Sequence, residues 1–207
     1  IITKEVKRKA RAPFITSTLQ QSASGALGYA PARTMGLAQK LYENGLITYM
    51  RTDSFNIAKS AQDECKSFIT NEYGLEYLPE NSNIYSRKSS AAQEAHEAIR
   101  PTSILIKPGN EGIKLETAEL KLYKLIWERF VASQMVPARI SRRTVEAITS
   151  SENEYLFRAT TSDIIFPGYM KASGIEAAAD APARPVPTII TSCFCLFAGL
   201  TRGRLDL

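Results

Sequence analysis

Gly45-Leu46-Ile47-Thr48-Tyr49-Met50-Arg51-Thr52-Asp53-Ser54 is the stretch on which the reading of this chain turns. A glycine stops the helical pattern ahead of it. A short apolar run then delivers a tyrosine, an arginine two residues on and an aspartate two beyond that. Extended backbone sends successive side chains to opposite faces, so this spacing predicts Tyr49, Arg51 and Asp53 on one side. A phenol, a guanidinium and a carboxylate side by side suit the handling of a phosphate. They equally suit an ordinary polar strand face.

Working outward, Met35, Ala38, Leu41 and Tyr42 have the spacing of a buried helical stripe, with Pro31 in its first turn and Gly45 as its stop. Before it, Thr16-Ser17-Thr18 offers N-cap hydroxyls to a helix that carries Leu19, Ala23 and Leu27 up to Gly28. Residues 4–11 form a basic run, which reads as a solvated strand or linker, or as a phosphate-contacting edge. After the central stretch, Ile57, Ala61, Cys65, Phe68 and Ile69 mark a helix ending near Gly74. Cys65 lies on its apolar stripe and reads as core, not as a nucleophile. A short helix is expected over Ala91 to Ile99, closed by Arg100-Pro101. The strongest helical period spans Leu115 to Met135 and ends before Pro137. Thr144 to Ile148 and Tyr155 to Thr160 alternate as two strands, with a hairpin turn at 150–153.

The 207 residues are 44% hydrophobic and 23% charged, which is a globular composition. A net charge of +5 permits an anionic partner without demanding one. Three cysteines make no disulfide framework, and a single histidine excludes a multi-histidine metal site. No apolar run reaches membrane-spanning length. The start at Ile1 reads as lying inside a larger protein. From about Ser173 the character changes: three alanines, then Pro182, Pro185 and Pro187, then an apolar run, with no net charge. Cys193 and Cys195 lack a second ligand pair for a metal.

Tyrosine has an ordinary pKa of about 10 and is a poor nucleophile near neutrality. To attack a phosphodiester it needs a nearby cation or a path for its proton. Arg51 offers the cation and would stabilise charge growing on the phosphoryl oxygens. The product, a phosphotyrosine ester, keeps the energy of the broken bond. A second constellation is Gln93-Glu94-Ala95-His96-Glu97-Ala98-Ile99-Arg100-Pro101. On a helix, Gln93, His96 and Glu97 share a face, as do His96 and Arg100. His96 is then either a capping or hydrogen-bonding residue or, beside Arg100, a phosphate donor.

Pro13-Phe14-Ile15-Thr16-Ser17-Thr18-Leu19-Gln20-Gln21, Leu41-Tyr42-Glu43, the Gly45–Ser54 stretch and Gln93–Pro101 together resemble the central part of bacterial DNA topoisomerase I, the type IA family. Leu122–Phe130 and Gln134-Met135-Val136-Pro137 are similar to it as well. The resemblance covers roughly residues 1–172. It implies that Tyr49 is the nucleophile that attacks single-stranded DNA and becomes linked to the 5′ phosphate. Arg51 matches the arginine that stabilises the scissile phosphate, and His96 the histidine at the same phosphate. Gln39, Glu43, Thr48 and Asp53 match lesser active-site and DNA-contact positions, and Arg100 is expected to contact DNA beside His96.

The fold so implied is α+β, mainly α: a helical, tyrosine-bearing domain at 13–138, flanked by β-strands of the adjacent arch domain at 1–12 and 139–172. Residues 173–207 are expected to be an atypical tail, of the kind a frameshift or truncated gene produces. The family's magnesium-binding Toprim domain and its zinc ribbons have no counterpart here, so magnesium ligands are expected outside this chain. The implied setting is the bacterial cytoplasm at the nucleoid, with no membrane and no protein partner, as a monomer. The alternative function is a non-catalytic single-stranded DNA-binding module using Arg33, Lys40 and the loop at Arg87-Lys88.

Overall fold

The computed structural model describes residues 1–85, 96–110, 114–149 and 155–174. The basic N-terminal run becomes strand β1, Ile2–Arg8. Four helices follow: α1, Thr16–Leu27; α2, Pro31–Glu43; α3, Lys59–Glu72; and α4, Thr117–Ser133. Strands β2, Ala138–Ile148, and β3, Leu156–Phe166, close the order. The architecture is mixed α+β and mainly helical.

Local chemistry explains the helix ends. Thr18 Oγ1 accepts the N–H of Ile15 at 3.0 Å, which satisfies a donor that the first turn of α1 would leave open. The helix stops at Gly28. Pro31 opens α2, where its missing N–H has no helical partner to lose. In α4 the side chains of Leu122, Ile126 and Phe130 recur every four residues and are buried, as are Tyr123, Trp127 and Val131 beside them. The two polar aromatic tips are satisfied: Tyr123 donates its hydroxyl to the Ile106 carbonyl at 2.7 Å, and Trp127 its Nε1–H to the Ile104 carbonyl at 3.0 Å. Burial pushes the Tyr123 phenol well above its usual pKa. Phe14, Leu19, Leu41, Ile47, Met50, Ile69 and Ile99 complete the core.

Cys65 is fully buried in α3, as its stripe position predicts. Burial, with a smaller push from Glu64, raises its thiol to about 12. The reactive thiolate therefore forms only in strongly alkaline solution. At pH 8, iodoacetamide is expected to leave Cys65 unmodified in the folded chain and to modify it once urea is added. Rapid labelling without denaturant would contradict the packing.

The sheet is antiparallel in the order β1-β2-β3, with Ile2 opposite Thr144 and Thr144 opposite Thr160. Helices α1 to α4 thus lie between two strands, β1 and β2, that are neighbours in space. Both outer strands are largely exposed. The sheet meets the helices where β3 ends. Gly168 has a φ of +50°, and a Cβ there would sit 2.5 Å from the Pro137 carbonyl oxygen. Tyr169 donates its N–H to the Val136 carbonyl at 3.0 Å in the same corner. Gly168→Ala combines a left-handed backbone with a backbone clash, and is expected to cost at least about 1–3 kcal/mol. Urea denaturation reads this, and an unchanged midpoint would show that the corner gives way.

The structure corrects three local expectations. Residues 96–99 are not helical; Ile99 instead forms an antiparallel bridge with Phe14. Of the helical face expected for Gln93, His96 and Glu97, His96 and Glu97 are not helical and Gln93 lies outside the described residues. Tyr42, assigned to the buried stripe, is 41% exposed at the end of α2. The strands are also longer than the alternating segments suggest, since β2 begins at Ala138 and β3 runs to Phe166.

Candidate active site

The Gly45–Ser54 stretch is irregular backbone held by two neighbours, not a strand in a sheet. Gly45 takes a φ of +68°, which turns the chain out of α2. Ile47 then pairs with Pro101 in an isolated antiparallel bridge. The Thr48 N–H reaches the Arg100 carbonyl at 2.9 Å, and the Thr102 N–H reaches the Leu46 carbonyl at 3.0 Å. On the other side, Thr16 at the start of α1 donates its hydroxyl to the Met50 carbonyl at 2.8 Å and accepts the Thr52 N–H at 2.9 Å. Its own N–H goes to the Thr52 carbonyl at 2.9 Å.

This stitching imposes the alternation that the spacing predicts. Met50, Thr52 and Ser54 are buried, while Tyr49, Arg51 and Asp53 are exposed between them. The phenol, the guanidinium and the carboxylate emerge on the outer side of a segment whose inner side is anchored in the core. The Tyr49 ring is 46% exposed and leans edge-on against Tyr42, with centroids 5.3 Å apart. One turn back on α2, Gln39 donates Nε2–H to Glu43 Oε1 at 2.7 Å. Gln39, Tyr42 and Glu43 share a helical face at i, i+3 and i+4, so a small polar rim stands beside the tyrosine.

Thr48 faces the scaffold. Its hydroxyl donates to the Ala98 carbonyl at 2.7 Å and accepts the Arg100 N–H at 3.0 Å. This pairing carries the second constellation to Tyr49, because His96 stands two residues before Ala98 and is exposed. Arg100 turns inward. Its guanidinium lies 2.7 Å from Glu97 Oε2 and donates to the Pro101 carbonyl at 3.0 Å. The other Glu97 oxygen accepts the Ala58 N–H at 2.7 Å, just ahead of α3. Lys40, on α2, is paired with the buried Glu119 at 3.1 Å, which raises its pKa.

A family model for DNA topoisomerase matches residues 1–191. The chain belongs to the type IA DNA topoisomerase family. It is 47% identical to the DNA topoisomerase 1 of Helicobacter pylori strain 26695 over 182 residues, covering 84% of this chain and 24% of that protein. It is 46% identical to the DNA topoisomerase 1 of Xylella fastidiosa strain Temecula1, covering 82% of this chain and 22% of that protein. Among solved structures, full-length topoisomerase I from Thermotoga maritima is similar with a TM-score of 0.71 and 35% identity, over 89% of this chain and 30% of the other. The chain thus spans about a quarter of the length of the curated relatives. The family match runs to residue 191, beyond the limit near residue 172 set from the motifs.

Within this topoisomerase chain, the structure brings Tyr49, Arg51 and Asp53 to one outer side, with Gln39 and Glu43 at the rim and His96 on the adjoining segment. It holds Thr48 and Arg100 in the scaffold beneath them. Arg87 and Lys88 lie outside the described residues. Tyr42 is the residue that the sequence reading missed. Its position three residues after Gln39 and one before Glu43 is the signal that could have placed it on the rim. Among the described residues, no group of three or more His, Cys, Asp or Glu side chains could hold a metal ion. Nor, among them, is any helix long and apolar enough to cross a membrane.

Proposed function

We propose that this chain is the tyrosine-bearing part of a DNA topoisomerase that breaks and rejoins single-stranded DNA. The Tyr49 oxygen attacks a backbone phosphorus, the P–O3′ bond breaks, and a 5′-phosphotyrosine and a free 3′-hydroxyl result. The phenol gives up one proton and the departing 3′ oxygen takes one up. Arg51 stabilises the charge that grows on the phosphoryl oxygens, because it projects from the same side of the same segment. His96 donates to the same phosphate, and Gln39, Glu43 and Asp53 orient the strand. Attack by the 3′-hydroxyl reverses the step, and no ATP is needed because the ester retains the bond energy. Strand passage between the two steps relaxes negative supercoils at the nucleoid. Magnesium, where the whole enzyme uses it, is held by residues outside this chain.

The domain reading accompanies this proposal: 13–138 as the helical tyrosine domain, and 1–12 with 139–172 as parts of an adjacent β-rich domain. The observation that carries the function is the exposed Tyr49–Arg51 pair on a segment whose alternate side chains are locked in the core. The test is to trap the covalent adduct of the full-length enzyme with an oligonucleotide and map it by mass spectrometry. Attachment at Tyr49 through the 5′ phosphate is expected, and attachment elsewhere would sink the reading. The 207-residue chain alone is expected not to relax a plasmid, with or without magnesium, and relaxation by it would contradict the division of labour.

A further inference from the structure

A cleft of about 480 Å³ opens between the arm that precedes α1, the outer face of α1, and α4. Its lining includes Arg11, Thr18, Gln21, Ser22, Phe55 and Arg129. Two features set it apart. Among the described residues that line it, both charged groups are guanidinium ions and none is a carboxylate. Like charges converging without a counter-ion raise the energy of the free protein, and an anion placed between them lowers it.

Arg129 is more than an incidental surface charge. It lies over the Phe14 ring, 4.3 Å from the centroid, and its only recorded hydrogen bond among the described residues is a long one to Ser22 Oγ at 3.4 Å. Partial burial and the charge of Arg11 both lower its pKa, which an anion would reverse. The Gln21 and Ser22 side chains add amide and hydroxyl donors along the wall, and Phe55 offers an apolar face.

The position of Phe55 ties the cleft to the candidate active site. It follows Ser54 directly, so the segment that exposes Tyr49, Arg51 and Asp53 runs on into the cleft wall. Six residues of extended chain span at most about 20 Å. We infer that the cleft holds backbone phosphates of the same DNA strand, a few nucleotides from the one Tyr49 attacks. Guanidinium groups recognise phosphate oxygens through paired N–H donors, and a base can stack on an aromatic wall. This rests on the function proposed above and adds a second contact to it.

The test measures binding of a fluorescein-labelled 20-mer of deoxythymidine to the full 207-residue chain by anisotropy, from 25 to 200 mM NaCl. Arg11→Gln, Arg129→Gln and the double variant are compared with Lys59→Gln, an exposed charge on α3. The double variant is expected to bind about tenfold more weakly at 50 mM NaCl. The slope of log affinity against log salt should fall by about 1.4, from two lost phosphate contacts. Arg129→Lys should recover part of the loss, because charge returns without the paired geometry. Arg11 is exposed on the arm outside the helical core, so Arg11→Gln reads the site even if Arg129→Gln perturbs packing. Binding by the parent chain that neither Arg11→Gln nor the double variant weakens would overturn the inference while leaving Tyr49 chemistry intact. No binding by the parent chain at any salt would overturn the inference together with single-strand recognition by this chain.

Discussion

Tyr49→Phe in the full-length enzyme that carries this sequence is expected to abolish both the covalent DNA adduct and plasmid relaxation. Removing a nucleophile costs far more than removing an orienting group, and a loss of more than about 10⁴-fold is anticipated. The fold should hardly notice. The Tyr49 ring is 46% exposed, its recorded ring contact is Tyr42, and phenylalanine preserves that edge-on packing. A stability change within about 0.5 kcal/mol is expected by denaturant titration. DNA binding should persist, because Arg51 and the rim residues remain. Residual relaxation above a few per cent in Tyr49→Phe would mean that another residue attacks the phosphate. Arg51→Ala complements the experiment: it should slow adduct formation while leaving the nucleophile in place, a smaller effect on the same readout.

The second large effect is structural. Arg100→Ala removes one partner of an ion pair whose side chains are only 11% and 31% exposed. Glu97 is then left with its charge partly desolvated and with the Ala58 N–H as its remaining recorded partner. Breaking one side of a buried pair typically costs about 3–5 kcal/mol. The partial exposure of Glu97 brings the expectation to about 2–4 kcal/mol. The readout separates two roles. If Arg100 positions the scaffold, thermal stability falls, and the salt dependence of DNA binding stays as it was in the fraction that folds. If Arg100 touches DNA, the salt slope drops while the melting temperature holds. The geometry favours the first result, because the guanidinium also donates to the Pro101 carbonyl. Glu97→Gln should be milder, since an amide oxygen can still accept from Arg100 or from the α3 entry.

These two residues show why sequence reading succeeds in one place and stops in another. The hydroxyls read as N-caps of α1 lie inside the helix, whose N-cap is Ile15, but the exit of α1 and both ends of α2 were legible because their causes are local: Pro31 at a first turn, glycines at the exits. The stripe of α4 was legible for the same reason, since a 3.6-residue period needs only the chain itself. The segment around His96 was not. Its residue types suit a helix, but three other backbone segments compete for its hydrogen bonds. Ile99 donates to Phe14, Ala98 to Asn56 and Thr102 to Leu46, each a partner far away in sequence. Arg100 was misplaced as a consequence, because on a helix it would stand beside His96 in solvent.

The sheet shows the same divide. The alternating pattern announces β2 and β3, yet nothing local pairs Ile2 with Thr144. Closing so long a loop costs only slowly more with length, so the chain can insert four helices between neighbouring strands without a local sign of it.

By itself, the sequence determined the residue types and spacing of the reactive stretch, the family to which they belong, and the alternation that exposes Tyr49, Arg51 and Asp53. Those follow from covalent order and backbone period. Only the tertiary structure decided which of the candidates face outward together. Thr48 spends its hydroxyl on Ala98 and Arg100, Arg100 spends its charge on Glu97, and Tyr42 comes out of the core to meet Tyr49. A side chain's role depends on which distant groups take up its hydrogen bonds and its charge, and that is settled only when the segments at 14–16, 46–54 and 96–102 are packed against one another.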